Sequence, residues 1–310
     1  MNATTPQHLR SGGQQPIAWH HLDCAIPAAW EPARYAIEAR AGRIEFVERR
    51  AARAVVSWEP CAREPDRRTT LLDYLRARVL ELRPRASFAP AGVHTAEHGR
   101  FLTGWHDDLP QVQALAWLPE TRVLLRWIFD AAQAGGTPAP WIDGVLRSYR
   151  PNAEPVRRYR LFGLHVHLPA RYEIERMAVY PANVMIAFEG SDKRRVTCRR
   201  WGLPEHLLGK EPLDRFYSRI LAADGAGILA AEPARVGPHE ACRLRYRQRP
   251  VHQMERYFGR GWTDGEAILW HDRDEARLYA CEQIGPERSP PLAFNEILPA
   301  AGPVISERST

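Results

Sequence analysis

Residues 22–31, LDCAIPAAWE, and residues 164–173, LHVHLPARYE, state one pattern twice: an apolar-alternating run, then an aliphatic residue, Pro, Ala, one variable position, an aromatic and a glutamate. The same offset carries Ile44 onto Ile186 and Phe46 onto Phe188 without a gap. Alternation of this kind buries one side of a strand. Whatever fold the first half adopts, the second must be able to repeat. The expectation is two copies of one small domain: residues 17–130 as the first, 131–157 as a connector, 158–285 as the second and 286–310 as a Pro-rich tail.

Each copy reads as strands, one helix, then more strands. In the first, Leu22, Cys24 and Ile26 share a face and Pro27 ends the strand, having no amide for a ladder. Residues 43–47 and 53–58 are the next strands. Thr69 or Thr70 can cap a helix carrying Leu71, Leu72, Leu75, Val79 and Leu82 on one stripe, with Pro84 beyond it. Further strands are expected around residues 94–105, 112–118 and 122–129. In the second copy Leu164, Val166 and Leu168 repeat the buried face. Leu213, Phe216, Tyr217 and Ile220 make the helix stripe, residues 240–248 alternate strongly, and 267–281 read as a hairpin. The expected fold class is therefore α+β: two tandem copies of an antiparallel sheet with a helix packed on one face, forming a pseudo-dimer.

Ile26-Pro27-Ala28-Ala29-Trp30 and Leu168-Pro169-Ala170-Arg171-Tyr172 each end a strand in aliphatic-Pro-x-x-aromatic. Gly237-Pro238-His239-Glu240-Ala241 follows later in the second copy. With the mid-chain helix, this pattern resembles the PsbP/DcrB-like sandwich, whose Gly-x-x-Ala strand is here one residue longer and in the first copy reduced to Gly92. The resemblance implies a mostly non-enzymatic role as an accessory subunit, regulator or chaperone-like protein.

Five cysteines without a CxxC pair argue against a disulfide framework and against a zinc ribbon. No apolar run approaches the roughly 18 residues needed to cross a bilayer, and the N-terminal residues lack a charged-then-apolar secretion signal. No membrane insertion is expected, and the chain is placed in the cytoplasm. The net charge of +6 is shared equally by the two halves, with both signs interleaved. A nucleic-acid face needs a concentrated basic stripe, and the best here is Arg243, Arg245, Arg247 and Arg249 on one side of a strand.

His165 and His167 form an H-x-H on a strand, so both rings project to one side, a workable metal dyad given a third ligand. The first copy has Asp23 and Ala25 there. Gly104-Trp105 and Gly261-Trp262 read as matching pairs, each followed by acids (Asp107 and Asp108; Asp264) of the kind turns favour for backbone hydrogen bonds. No P-loop, Gly-x-Ser-x-Gly, His-Glu-x-x-His or kinase signature is present. No catalytic residue, metal or cofactor is therefore assigned.

The functional expectation is a non-catalytic protein-binding or adaptor protein, chaperone-like, with a composite groove between its two domains and a protein or peptide partner. His165, His167, Arg243, Arg245, Arg247, Trp105 and Trp262 are the candidate contact residues. The alternatives are a metal-dependent enzyme using His165 and His167 with acids such as Glu189 or Asp192, and a nucleic-acid binder using the arginine strand.

Overall fold

A seven-stranded antiparallel sheet organises each part of the chain, and the order of its strands follows from where the helix interrupts them. The computed structural model describes residues 13–49, 51–85, 87–130, 138–153, 155–248, 262–286 and 290–298. The chain divides into two units, residues 1–153 and 154–310.

In the first unit the hairpin β1 (Gln14–Trp19) and β2 (Leu22–Pro27) is followed by β3 (Glu31–Tyr35), β4 (Gly42–Glu48) and β5 (Ala51–Pro60). Helix α1 (Arg67–Leu82) comes next, then β6 (Val93–His98), β7 (Phe101–His106), β8 (Gln111–Leu118) and β9 (Val123–Asp130). Helix α2 (Pro140–Ser148) and the short β10 (Arg150–Pro151) close the unit. The sheet order is β3-β4-β5-β9-β8-β7-β6, so the strands after the helix fold back in reverse. Asp66, rather than Thr69 or Thr70, caps α1: its Oδ1 accepts from the amides of Arg68 and Thr69 at 3.0 and 3.2 Å. Leu71, Leu75 and Val79 pack with Leu109 and Leu115 on one face of the sheet. Gly104 lets the helix come this close, since a Cβ there would lie 2.7 Å from Leu71 Cδ2.

The opposite face is covered by aromatic rings. Trp30 stacks on Phe46 (6.1 Å), Phe46 on Trp127 (6.0 Å) and Trp127 on Phe129 (5.2 Å). Trp141 of α2 meets both Trp30 and Phe129 edge-on. The β2 strand is tied to α2 where the Ala25 amide donates to Ser148 Oγ at 2.9 Å. Of the expected connector, residues 138–153 thus pack into the first unit, while residues 155–157 belong to the second.

The second unit opens with the hairpin β11 (Val156–Leu161) and β12 (Leu164–Pro169), then β13 (Tyr172–Tyr180), β14 (Asn183–Gly190) and β15 (Arg195–Gly202). Short helix α3 (Pro204–Leu208) and helix α4 (Leu213–Ala223) precede β16 (Ala226–Val236), β17 (His239–Gln248), β18 (Thr263–Asp272) and β19 (Arg277–Ile284). The order β13-β14-β15-β19-β18-β17-β16 matches that of the first sheet position for position. Phe216, Tyr217 and Leu221 of α4 pack on Trp201, Leu244, Tyr246 and Leu269. Gly265 leaves room for Tyr246, whose ring fills the space a Cβ would take. On the other face Tyr159 of β11 lies against Phe188 (4.8 Å). Buried Gln283 clamps the backbone of Leu292 from both sides, Nε2 donating to the carbonyl at 2.7 Å and Oε1 accepting from the amide at 2.9 Å. Residues 290–298 of the expected tail are thereby ordered, and α5 (Phe294–Ile297) buries Phe294 and Ile297.

The α+β expectation is corrected. Strands hold 54% of the described residues and helices 18%, so the class is mainly antiparallel β with few helices, and the paired α+β arrangement does not describe it. The difference lies in strands whose alternation is broken. Bulges fall between Pro32 and Arg34 in β3, Ile174 and Arg176 in β13, and Ile228 and Ala230 in β16, and a bulge reverses which residues face the core.

Gly104→Val should destabilise the protein by about 1–3 kcal/mol through overpacking against Leu71 and Leu75. Urea unfolding measures it, and a loss under about 0.5 kcal/mol would mean that α1 lifts freely from the sheet.

Candidate binding surface

β12 places His165 and His167 on one side of the strand as expected, rings 5.1 Å apart and edge-to-face. Arg160 on β11 stands opposite His165 in the register, and its Nη2 lies 2.6 Å from His165 Nε2. A guanidinium only donates, so Nε2 accepts and the proton sits on Nδ1. Burial, then Arg160 and His167, lower the pKa of His165 from 6.5 to about 4. Burial with Arg158 and Arg160 lowers that of His167. Two neutral imidazoles beside two guanidiniums are poorly suited to a metal cation, and Arg160 already occupies a ring lone pair. Glu189 and Asp192 are engaged in the β14–β15 turn, with Lys193 (2.8 Å) and with the Arg194 amide (3.1 Å) respectively. Among the described residues no group of three or more His, Cys, Asp or Glu is placed to hold a metal ion. The geometry opposes the metal-enzyme alternative.

The arginine strand is β17, where Arg243, Arg245 and Arg247 do share a side. Each is met by a carboxylate from a flanking strand: Arg243 by Glu266 (2.9 Å), Arg245 by Glu232 (2.9 Å) and Arg247 by Asp264 (2.7 Å). The stripe is therefore a charge-neutral ladder, which removes the local positive field that phosphate binding requires. Arg249 lies outside the described residues.

The two Gly-Trp pairs do not occupy matching positions. Trp105 sits within β7, stacked on His94 at 5.4 Å, whereas Trp262 precedes β18, the strand that holds β8's place in the order. Trp262 is 47% exposed, and Gly261 lies outside the described residues. The acids after Trp105 are spent on structure. Buried His106 accepts from the Asp108 amide through Nδ1 (3.0 Å), so its Nε2 carries the proton toward the Ala89 carbonyl (3.0 Å). Asp107 pairs with His94 and Asp108 with Arg83. Cys24 is buried, and burial pushes its thiol far above the usual range.

One end of the second sheet gathers residues that the alternation pattern did not single out. The Gly202 amide donates to the Ala182 carbonyl at 2.7 Å, which brings the β13–β14 turn against the exit of β15. Tyr180, on one side of this junction, is 64% exposed, and Leu203, on the other, is 65% exposed. Leu203 has φ 56° and ψ 52°, the left-handed region, and precedes Pro204. A bulky residue in that conformation is strained, and a following proline narrows the allowed space further. The Leu207 amide bonds back to the Leu203 carbonyl at 3.1 Å, which sets exposed Leu207 one turn away. Ala182 (φ 64°) and Ala276 (φ 50°), in the neighbouring turns, are also left-handed. Opposite Gly202 in the register stands Arg277, itself paired with Asp272 across the turn that holds Asp274 and Glu275. Asp272 holds the β18–β19 turn by accepting from the amides of Asp274 and Glu275, both at 3.0 Å. The one sequence signal was the triplet Gly202-Leu203-Pro204, where the flexible residue stands one position before the strained one.

No family model matches the chain. No curated protein matches it either. Among solved structures, the apo form of immunity protein TplEi of T6SS from Pseudomonas aeruginosa is similar at 12% identity and a TM-score of 0.32, over 87% of this chain and 95% of that one. TplEi complexed with "L" peptide gives 13% identity and a TM-score of 0.31, over 86% and 90%. The Tle4–Tli4 complex gives 12% identity and a TM-score of 0.33, over 87% and 95%. No helix among the described residues is long and apolar enough to cross a membrane.

The depressed pKa of His165 has a signed consequence. Above pH 6.5 the ring is neutral in both states and contributes nothing. As pH falls from 6.5 toward about 4 the unfolded chain takes up a proton that the folded chain refuses, so stability declines through that window. In His165→Gln the decline should be shallower, because the amide oxygen can still accept from Arg160 without titrating. Urea midpoints between pH 7 and about 4 check this; parallel curves for the two proteins would contradict it.

Proposed function

We propose that this chain is a non-catalytic protein-binding protein whose contact surface is the end of the second sheet formed by Tyr180, Leu203 and Leu207. The observation that carries the reading is Leu203: a large apolar side chain that is both exposed and held in a strained left-handed backbone. Folding gains little from either property, since the side chain is not in the core and glycine would hold the turn without strain. A side chain presented in this way makes sense as an anchor awaiting a pocket on another protein. The candidate chemistry elsewhere supports the same reading, because the His165–His167 pair is faced by arginines and the β17 arginines are each paired. An immunity-type complex, as in the TplEi and Tli4 structures, suggests a partner to try; the reading itself rests on Leu203.

Leu203→Gly separates binding from folding. Relief of the left-handed strain, about 1–2 kcal/mol, is offset by about 0.5–1 kcal/mol of extra backbone entropy, so the variant should unfold at the same denaturant concentration or slightly higher. Combined with Tyr180→Ser, it should lose at least tenfold in affinity for a partner captured stoichiometrically by the wild-type chain, or for a protein encoded beside it. Undiminished binding by a folded double variant would contradict the assignment of the surface. A marked fall in stability for Leu203→Gly would show that Leu203 serves the fold.

A further inference from the structure

β15 and β19 are neighbours at the centre of the second sheet, and their register sets Cys198 opposite Cys281. The two sulfurs are 3.7 Å apart, in a region where both residues are fully buried. Directly opposed residues of an antiparallel pair hold their Cα atoms about 4.5–5.5 Å apart, inside the roughly 4.4–6.8 Å that a disulfide accepts. Rotation of the two side chains is enough to bring the sulfurs to bonding distance. Cys242 has no such access, because its row of the sheet, with Leu269 and Ala280, packs under α4, while Cys281 lies in the next row with Ile268 on the other face.

We propose that Cys198 and Cys281 are a latent cross-strand disulfide site, joined when the chain folds against a disulfide oxidant and left as two thiols when it folds under reducing conditions. The chemistry is thiol–disulfide exchange. One cysteine thiolate attacks the oxidant, glutathione disulfide or the disulfide of an oxidoreductase, forming a mixed disulfide and expelling one oxidant thiolate. The second cysteine thiolate attacks the protein sulfur of that mixed disulfide; the Cys198–Cys281 bond forms and the second oxidant thiolate leaves. Two protein thiols give up two electrons and two protons, and one oxidant disulfide is reduced to two thiols.

Timing follows from burial. Once the sheet is covered, no oxidant reaches either sulfur, and the hydrogen bond that the Cys281 thiol shares with Cys198, together with burial, holds that thiol well above its usual range, so thiolate is scarce. Exchange must therefore precede closure of the core. The bond spans a separation of 83 residues, long enough to restrict the denatured chain strongly.

The test uses the full chain, unfolded and reduced, then refolded either in a glutathione redox buffer or in excess reductant. Alkylation and peptide mass spectrometry should find Cys198 linked to Cys281 as the dominant pairing in the first sample and neither linked in the second. The linked protein should unfold at higher urea than the reduced one. Protein already folded in reductant and moved to the redox buffer should keep both thiols. Cys281→Ala should abolish both the link and the redox-dependent shift, and if that variant does not fold, the wild-type comparison decides. Two alkylatable thiols after oxidative refolding, a different dominant pairing, or a linked form that unfolds at lower urea would each overturn the proposal. Rapid linking of the folded reduced protein would overturn the order of events.

Discussion

Central strands buried on both faces are the constraint from which the rest of this structure follows. Every residue of β19 from Leu278 to Gln283 is buried, with α4 on one side of the sheet and the β11 ring of Tyr159 on the other. In such a layer a polar side chain must find its partner within the protein or cost several kcal/mol. The second unit meets this demand at Glu282, and the first repeats the same residue types nearer the surface, where Glu59 is exposed. In the second, Glu282 accepts from the Tyr217 hydroxyl (3.0 Å) and faces Arg199 (3.3 Å). In the first, Tyr74 donates to Glu59 (3.0 Å) while Arg126 lies over the Tyr74 ring at 3.9 Å and donates to Gln113 (3.2 Å). Each helix thus lowers a tyrosine onto an arginine and a glutamate from two adjacent central strands, with the charges exchanged: Glu59 on β5 and Arg126 on β9, Arg199 on β15 and Glu282 on β19.

This satisfaction of polar groups reaches the surface and shapes the functional reading. Candidate ligands and acids named in the sequence are engaged by structural partners: His165 by Arg160, Glu189 by Lys193 and Asp192 by the Arg194 amide. The end of the second sheet is different, since its apolar side chains point outward and its backbone carries strain that the core does not require. Strain without a folding benefit is where a binding role is most economically placed.

Strands with unbroken alternation were legible in the sequence. β2 and β12 expose their buried face as Leu22, Cys24, Ile26 and Leu164, Val166, Leu168, and the stripe of Leu71, Leu75 and Val79 marks α1. The edge strands β3, β13 and β16 were not legible, because bulges shift their phase and Ala, Pro and charged residues fill them. Missing them gave the helices too much weight and led to the wrong fold class. The arginines of β17 were placed on the correct side of their strand, but their neutralisation was invisible, since Glu232, Glu266 and Asp264 reach them only through strand pairing. Leu203 escaped for a related reason: the Gly202 amide beside it is bonded to the Ala182 carbonyl, a contact between distant positions that no local pattern carries.

Amide hydrogen exchange of the chain, alone and with its captured protein partner, tests the central claim most directly. The account predicts that binding slows exchange in residues 178–183 and 202–208, while the α1 and α4 faces exchange as before. Protection confined to other segments, with these two unchanged, would contradict it.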